Sequence, residues 1–168
     1  MKKALFSIIS LVMVMFTLVP TAFAQAEKMP EWQDLIITQD EFNAILANNR
    51  IHTADEEARA SDLIAAWAIA ISKSGTNTLN IAGVTTGTHE VVKAGFKEVV
   101  VQRRASSSAS WSDYYTYEDI YVDQGSYTIA KSLTVPTGYQ YRVTCIHYAK
   151  KNFLSVQKID NVSNVIQF

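Results

Sequence analysis

The chain has 168 residues, a formal net charge of −1, 18% charged residues and one cysteine, Cys145. Nucleic-acid binding depends on many contacts between cations and phosphates, so a weakly acidic chain without basic blocks predicts no nucleic-acid partner. A single cysteine excludes a framework of internal disulfides, and stability must therefore come from an apolar core.

The first 24 residues have the layout of a secretory signal peptide. Lys2 and Lys3 precede an apolar stretch over 4–19, which ends in the small-x-small cleavage pattern Ala22-Phe23-Ala24. The stretch is short for a membrane helix of about 20 residues, and no later apolar run approaches that length. We therefore expect a secreted, extracellular chain that begins at Gln25. Losing two lysines and no acid leaves it 13 basic and 16 acidic residues.

Residues 25–60 read as an acidic, partly helical N-terminal segment. The tetrad from Thr38 to Glu41 fits a capping box, in which the threonine caps a helix and the glutamate reaches back to its backbone. The apolar residues that follow have the spacing of one helical face: Phe42, Ile45 and Leu46. The sequence predicts a short helix that packs over one end of the domain. A docking or membrane-surface helix is the alternative, but its stripe would be small and not basic.

The remainder, residues 61–168, is predicted to be β-structure. Large and small side chains alternate from Leu63 to Ile71, which favours a strand, although a T-x-x-E pattern at Thr53 leaves open a helix that runs into it. Further strands are predicted around 79–81, 96–103, 127–135, 139–147, from 154 onward and at 165–168. Seven or so short strands at this spacing predict an all-β fold, an antiparallel immunoglobulin-like β-sandwich.

Cys145 and His147 share a strand register with Tyr141 and Val143, the face expected to point inward. Cys145 is therefore predicted to be a small core hydrophobe, with pairing between two chains left open. His147 is predicted to be a core histidine with one hydrogen bond. A role as ligand or base is its alternative.

Three stretches resemble small secreted β-sandwich proteins of Gram-positive spore-forming bacteria, a family without an assigned activity. They are IAISKSGTNTLNIAGVTTGTHEVVKAGFKEVVVQR, the tryptophan-led strand WSDYYTY, and VPTGYQYRVTCIHYAKKN. The likeness covers roughly residues 61–152. It implies a β-sandwich and an extracellular location, and it carries over no catalytic or binding residues.

The sequence contains few motifs that indicate catalysis or metal binding. The three histidines (His52, His89 and His147) lack metal-ligand spacing, so no metal site and no cofactor is expected. Two basic pairs, Arg103-Arg104 and Lys150-Lys151, are interpreted as solvated charges beside turns. Four acids lie close together in the sequence: Asp113, Glu118, Asp119 and Asp123. They alternate with tyrosines as solvated strand edges do, and the chain is predicted not to be an enzyme.

The stretch from Trp111 to Tyr127 is unusually aromatic. One strand register places Trp111, Tyr115, Tyr117 and Tyr121 on one face, with Tyr114 on the other. Because aspartates flank these tyrosines and resist burial, some of the tyrosines are expected to be exposed. We interpret the four residues as a ligand-binding face. Ordinary half-exposed strand residues are the alternative.

Together these features predict a secreted, non-enzymatic binding module at or near the cell envelope, with a cell-wall glycan or an extracellular protein as its ligand. One alternative is a secreted effector, antimicrobial or toxin-like, with residues 25–60 as a pro-segment. Another is a small hydrolase that uses the acids between 113 and 123, which requires two carboxyl groups about 5–9.5 Å apart.

Overall fold

A computed structural model describes residues 31–53 and 63–168. The predicted signal peptide, its cleavage site and the helix considered after Thr53 lie outside the described residues. In chain order the elements are β1 (Gln33–Asp34), α1 (Gln39–Leu46), β2 (His52–Thr53), β3 (Ile64–Ser74), β4 (Thr78–Gly87), β5 (Lys93–Arg104), β6 (Ser112–Val122), β7 (Ser126–Thr134), β8 (Gln140–Lys150), β9 (Val156–Val162) and β10 (Ile166–Gln167). No described helix is long and apolar enough to cross a bilayer.

The strands form two antiparallel sheets that pack face to face. Sheet A has the order β1-β7-β4-β3-β2, and sheet B has the order β10-β8-β5-β6, with β9 also paired to β8. The seven longer strands, β3 to β9, make an antiparallel immunoglobulin-like β-sandwich, and the predicted fold class is confirmed.

The main core lies between the sheets and follows the alternation read from the sequence. Along β8 every second residue is buried, beginning with Tyr141 and Val143. Ile69 and Ile71 of β3 face them across the interior. Apolar side chains that alternate with polar ones give each strand one face for the core and one for the outside, which is why these segments fold as strands.

The other face of β3 carries small residues because α1 lies on it. Phe42, Ile45 and Leu46 of the helix pack on the outer face of sheet A, against Ala68, Ala70 and Ala82. Alanines let a helix approach a sheet closely, so the size alternation of β3 has a packing reason. The prediction that the helix covers one end of the domain is wrong: it covers the broad face of a sheet.

The capping box is confirmed. The backbone N–H of Thr38 donates to the Glu41 carboxylate over 2.8 Å, and the backbone N–H of Glu41 donates to the Thr38 hydroxyl over 3.3 Å. The two bonds satisfy backbone donors that the first helical turn leaves unpaired. The hydrogen bonds from Thr38 also hold the pKa of Glu41 below its ordinary value.

Residues 31–53, the N-terminal strap, run across sheet A from one edge to the other. β1 pairs with β7 at one edge, α1 crosses the outer face, and β2 pairs with β3 at the opposite edge. The His52 ring stacks on Trp67 at 5.4 Å. Between α1 and β2, the Asn49 amide donates to the carbonyls of Ile69 and Val162 and so ties the strap to both sheets. The strap therefore covers one outer face of the sandwich.

Candidate functional site

The four predicted site residues do not share one face, because β6 contains two irregularities. The first is a shift in the β5–β6 register between Val101 and Gln102, which leaves Tyr114 as an extra residue. Tyr115 and Tyr117 then lie opposite Val101 and Val99, which point into the core. Tyr115 and Tyr117 are therefore half-buried at the inner edge of the sandwich.

The second irregularity is Asp119, whose φ of 56° lies in the left-handed region. Short polar side chains such as aspartate tolerate this conformation better than bulky ones. Beyond it, Ile120 packs against the core, and Tyr121 stands opposite Gly95. Tyr121 lies on the outer face of sheet B, where its ring centre is 4.6 Å from that of Tyr148.

Trp111 precedes β6 and lies at the other end of that outer face, beside Arg104 and Arg142. The prediction of one shared face is therefore wrong: Trp111 and Tyr121 lie outside and Tyr115 and Tyr117 inside. The expected exposure of the tyrosines is also wrong, since all three are half-buried. Neighbouring rings shield them, including Trp32 of the strap, which contacts Tyr117.

The outer face of sheet B is the sandwich face that the strap leaves uncovered. A shallow depression of about 270 Å³ lies near its middle, with Ile146 as its floor and the acids Glu98 and Asp160 at its sides. Tyr121 and Tyr148 lie toward one end of the sheet, and Trp111 lies at the other. The face therefore offers aromatic rings at both ends and polar side chains between them.

The indole–arginine cluster is formed by Trp111, Arg104 and Arg142, which contact one another on this face. The guanidinium carbons of Arg104 and Arg142 lie 4.4 and 4.5 Å from the indole centre. Contacts of this kind combine stacking with attraction between a cation and the π-system. The rings and guanidinium groups hold one another in place.

Two glutamines of sheet B accept hydrogen bonds that hold the same two arginines in place. Nε of Arg104 donates to Oε1 of Gln140, and Nε of Arg142 donates to Oε1 of Gln102, each over 2.8 Å. Gln102 in turn donates to the Asp113 carboxylate over 2.8 Å.

The interpretation of Arg103-Arg104 as solvated charges is wrong, since both are half-buried and Arg103 stacks on the Tyr114 ring at 4.5 Å.

Two of the four acids considered for hydrolysis, Asp119 and Asp123, form ion pairs with lysines. Asp119 forms an ion pair with Lys97, whose hydrogen bond is the main cause of the lowered pKa of Asp119. Asp123 forms an ion pair with Lys93 over 2.9 Å. A general acid at neutral pH needs a raised pKa, which such partners oppose. Within the described residues no three His, Cys, Asp or Glu side chains are grouped to hold a metal ion.

A buried network around His147 is a second candidate, because it contains a thiol beside an imidazole. The Thr85 hydroxyl donates its hydrogen to the Gly95 carbonyl over 2.9 Å, so it must accept from His147 Nδ1–H over 2.8 Å. His147 Nε2 is then free to accept from Cys145 Sγ and Asn161 Nδ2, each 3.4 Å away. Because the Thr85 hydroxyl has only one hydrogen to donate, His147 must be the tautomer that carries its proton on Nδ1.

This network is suited to packing and not to nucleophilic catalysis. Burial raises the pKa of the Cys145 thiol and lowers that of His147 to about 3. A cysteine nucleophile needs the opposite shift and access to a substrate, whereas Cys145 is 3% and His147 0% exposed. The predictions of an inward Cys145 and a hydrogen-bonded core His147 are confirmed.

Comparisons with known proteins add little to this geometry. No protein-family model matches the chain, and no curated protein matches it. Among solved structures, the chain is similar to the GAE domain of GGA2p from Saccharomyces cerevisiae, with 6% sequence identity over 71% of this chain and 96% of that one, and a TM-score of 0.29. A likeness this low supports no inference about function.

Proposed function

We propose that the protein is a secreted, non-enzymatic binding module that acts at or near the cell envelope. Its ligand is a cell-wall glycan or an extracellular protein, bound on the outer face of sheet B. The observation that carries the proposal is the contrast between the two outer faces: the strap covers sheet A, while Trp111 and its arginines lie on the outer face of sheet B, which no described segment covers.

The composition of that face favours binding. Aromatic rings combine a large apolar area with little loss of conformational entropy, and adjacent polar groups fix the orientation of a ligand. Trp111 is placed at one end of the face, and Tyr121 with Tyr148 toward the other. A shallow, polar surface of this kind suits an extended ligand better than a small molecule, which needs a deeper pocket.

The four aromatic residues singled out in the sequence have two different roles. Trp111 and Tyr121 remain candidate ligand contacts. Tyr115 and Tyr117 are assigned to the support of the inner edge, where the shielding of Tyr117 from solvent raises the pKa of its hydroxyl. Mutating these two tyrosines is therefore a test of stability and not of binding.

The pro-segment alternative is opposed by the packing of the strap. Removing residues 25–60 would take away a strand from each edge of sheet A and uncover Ala68, Ala70 and Ala82. A segment that is cleaved from an active effector is expected to leave a folded domain behind. The strap behaves as part of the domain.

The test is co-sedimentation of purified 25–168 with isolated cell-wall sacculi. We expect the wild type to pellet and Trp111→Ala to remain in the supernatant while its thermal unfolding stays cooperative. Phe153→Ala is the matched control for non-specific adsorption, because Phe153 is an aromatic residue that is 83% exposed on the turn between β8 and β9.

Two results would count against the proposal. If neither wild type nor variants pellet, a cell-wall glycan is excluded as the ligand and only an extracellular protein remains. If Phe153→Ala abolishes pelleting and Trp111→Ala does not, an exposed apolar turn adsorbs to the wall and the outer face of sheet B has no part in it.

A further inference from the structure

The arginines of the indole–arginine cluster lack acidic partners. The four ion pairs among the described residues all use lysines: Lys93, Lys97, Lys131 and Lys151. No described carboxylate lies within ion-pair distance of Arg104 or Arg142. The nearby acid, Asp113, accepts from Gln102 instead. The cluster therefore presents two positive charges that the described part of the protein does not neutralise.

Both guanidinium groups also retain unused donors. Arg104 donates from Nε to Gln140 and from Nη1 to the Ser107 carbonyl over 3.0 Å, and Arg142 donates from Nε to Gln102. The described residues provide no acceptor for Nη2 of Arg104 or for Nη1 and Nη2 of Arg142. Because the Nε bonds and the indole fix the two groups, a ligand would bind them with little further loss of side-chain entropy.

We propose that the indole–arginine cluster binds phosphate groups of a phosphodiester-linked envelope polymer. This inference rests on the proposed function and names the ligand chemistry of the same face. A guanidinium donates two parallel hydrogen bonds to a phosphate, and such charge-assisted pairs are among the strongest in proteins. Each guanidinium carbon lies within 4.5 Å of one indole centre, so the two are at most twice that distance apart.

The number of unused donors favours phosphate over an isolated carboxylate. One carboxylate offers two oxygens, which a single guanidinium can occupy. Two fixed guanidinium groups can bind more acceptor oxygens than that, either on one phosphate or on successive phosphates of a chain. Trp111 is only partly buried, so the carbon atoms of a polyol or sugar unit can pack against the part of the indole that the guanidinium groups leave exposed.

The experiment compares three phosphate sources with one protein, the chain 25–168. The probes are inorganic phosphate, soluble poly(glycerol phosphate), and sacculi before and after hydrofluoric acid has removed their phosphodiester polymers. We expect calorimetric binding of poly(glycerol phosphate) that weakens as salt screens the charges. We also expect pelleting with intact sacculi and loss of pelleting with stripped sacculi.

Three arginine variants assign the binding to named side chains, and a fourth variant is the control. Arg104→Gln and Arg142→Gln should each weaken polymer binding by about tenfold, because each removes charge-assisted bonds. Arg142→Lys keeps the charge but not the planar fork and should fall between wild type and Arg142→Gln. Arg50→Gln, at an exposed position of the strap, removes the same charge and should leave binding unchanged. Matching unfolding temperatures would show that all variants are folded.

The outcomes separate this inference from the proposed function. Equal pelleting with intact and stripped sacculi would overturn the phosphate assignment while the binding module stands. Unchanged polymer affinity in both Arg→Gln variants would overturn the assignment of the cluster. Binding of inorganic phosphate without binding of the polymer would overturn the choice of a polymer as ligand. Failure to bind either sacculi or polymer would overturn this inference and exclude a cell-wall ligand, which leaves an extracellular protein as the ligand of the proposed module.

Discussion

The Nδ1 atom of His147 lies 2.8 Å from the Oγ1 atom of Thr85, inside the core and fully shielded from solvent. The bond joins β8 of one sheet to β4 of the other. Since Thr85 donates its own hydrogen to Gly95, it can only accept from the histidine. The core thus holds a neutral imidazole of one defined tautomer, and protonation of its second nitrogen would place an uncompensated charge in an apolar interior.

Stability should therefore fall as the pH drops below about 6.5. Burial lowers the folded-state pKa of His147 to about 3 from an ordinary value of 6.5, so between these values only the unfolded chain binds the proton. The expected slope is about 1.4 kcal/mol per pH unit, or about 2 kcal/mol between pH 6.5 and 5. Urea unfolding at pH 7 and pH 5 measures it. His147→Gln should flatten the dependence, and an unchanged slope in that variant would refute the assignment.

Cys145 should react slowly while the protein is folded. Its thiol is buried and its pKa is raised, so both access and thiolate content are low. Labelling with a thiol reagent at pH 8 should be at least about a hundredfold slower in the native protein than in guanidinium chloride. The protein should also run as a monomer on a non-reducing gel. Rapid native labelling, or a disulfide-linked dimer, would contradict the buried position.

Gly95→Ala should prevent normal folding. Gly95 has a φ of 157°, and a Cβ atom there would lie 2.1 Å from the backbone oxygen of Ile120, which cannot move away as a side chain can. Gly75→Ala is the matched control, since Gly75 also has a positive φ, of 66°, but nothing lies within 4 Å of its Cβ position. The control should cost only the strain of a left-handed alanine, about 1–2 kcal/mol. Equal unfolding temperatures for both variants would contradict the register around Gly95.

Leu46→Ala should destabilise the whole sandwich and not only the strap. Leu46 is 4% exposed and packs on sheet A, so its truncation is expected to cost about 2–5 kcal/mol of unfolding free energy. Ile36→Ala is the control within the same segment, because Ile36 is 96% exposed and should change stability by less than about 0.5 kcal/mol. If both variants unfold at the same denaturant concentration as the wild type, the strap is dispensable and the pro-segment alternative regains support.

Much of the fold was predictable because its signals are local. The capping box at Thr38 depends on four consecutive residues, and the alternation along β8 depends on one strand. The size alternation along β3 also predicted a strand. The reason for its small face, a helix from a distant segment, was not visible in β3 itself.

The candidate site was harder to predict because it depends on relations between strands. A strict two-residue period places Tyr117 and Tyr121 on the same face, but the left-handed Asp119 between them breaks that period. The available signal was an aspartate, one of the residue types that tolerate this conformation. Arg104 and Arg142 come together only through the pairing of β5 with β8, which their positions in the sequence do not reveal.

The most direct test of the binding face is a nuclear magnetic resonance titration of isotope-labelled 25–168 with poly(glycerol phosphate). We expect shifts of the Trp111 indole N–H and the Nε–H signals of Arg104 and Arg142, while the Asn49 amide of the strap and the Tyr117 backbone stay unchanged. Shifts confined to the strap or to the inner edge at Tyr117, or no shifts at any polymer concentration, would contradict it.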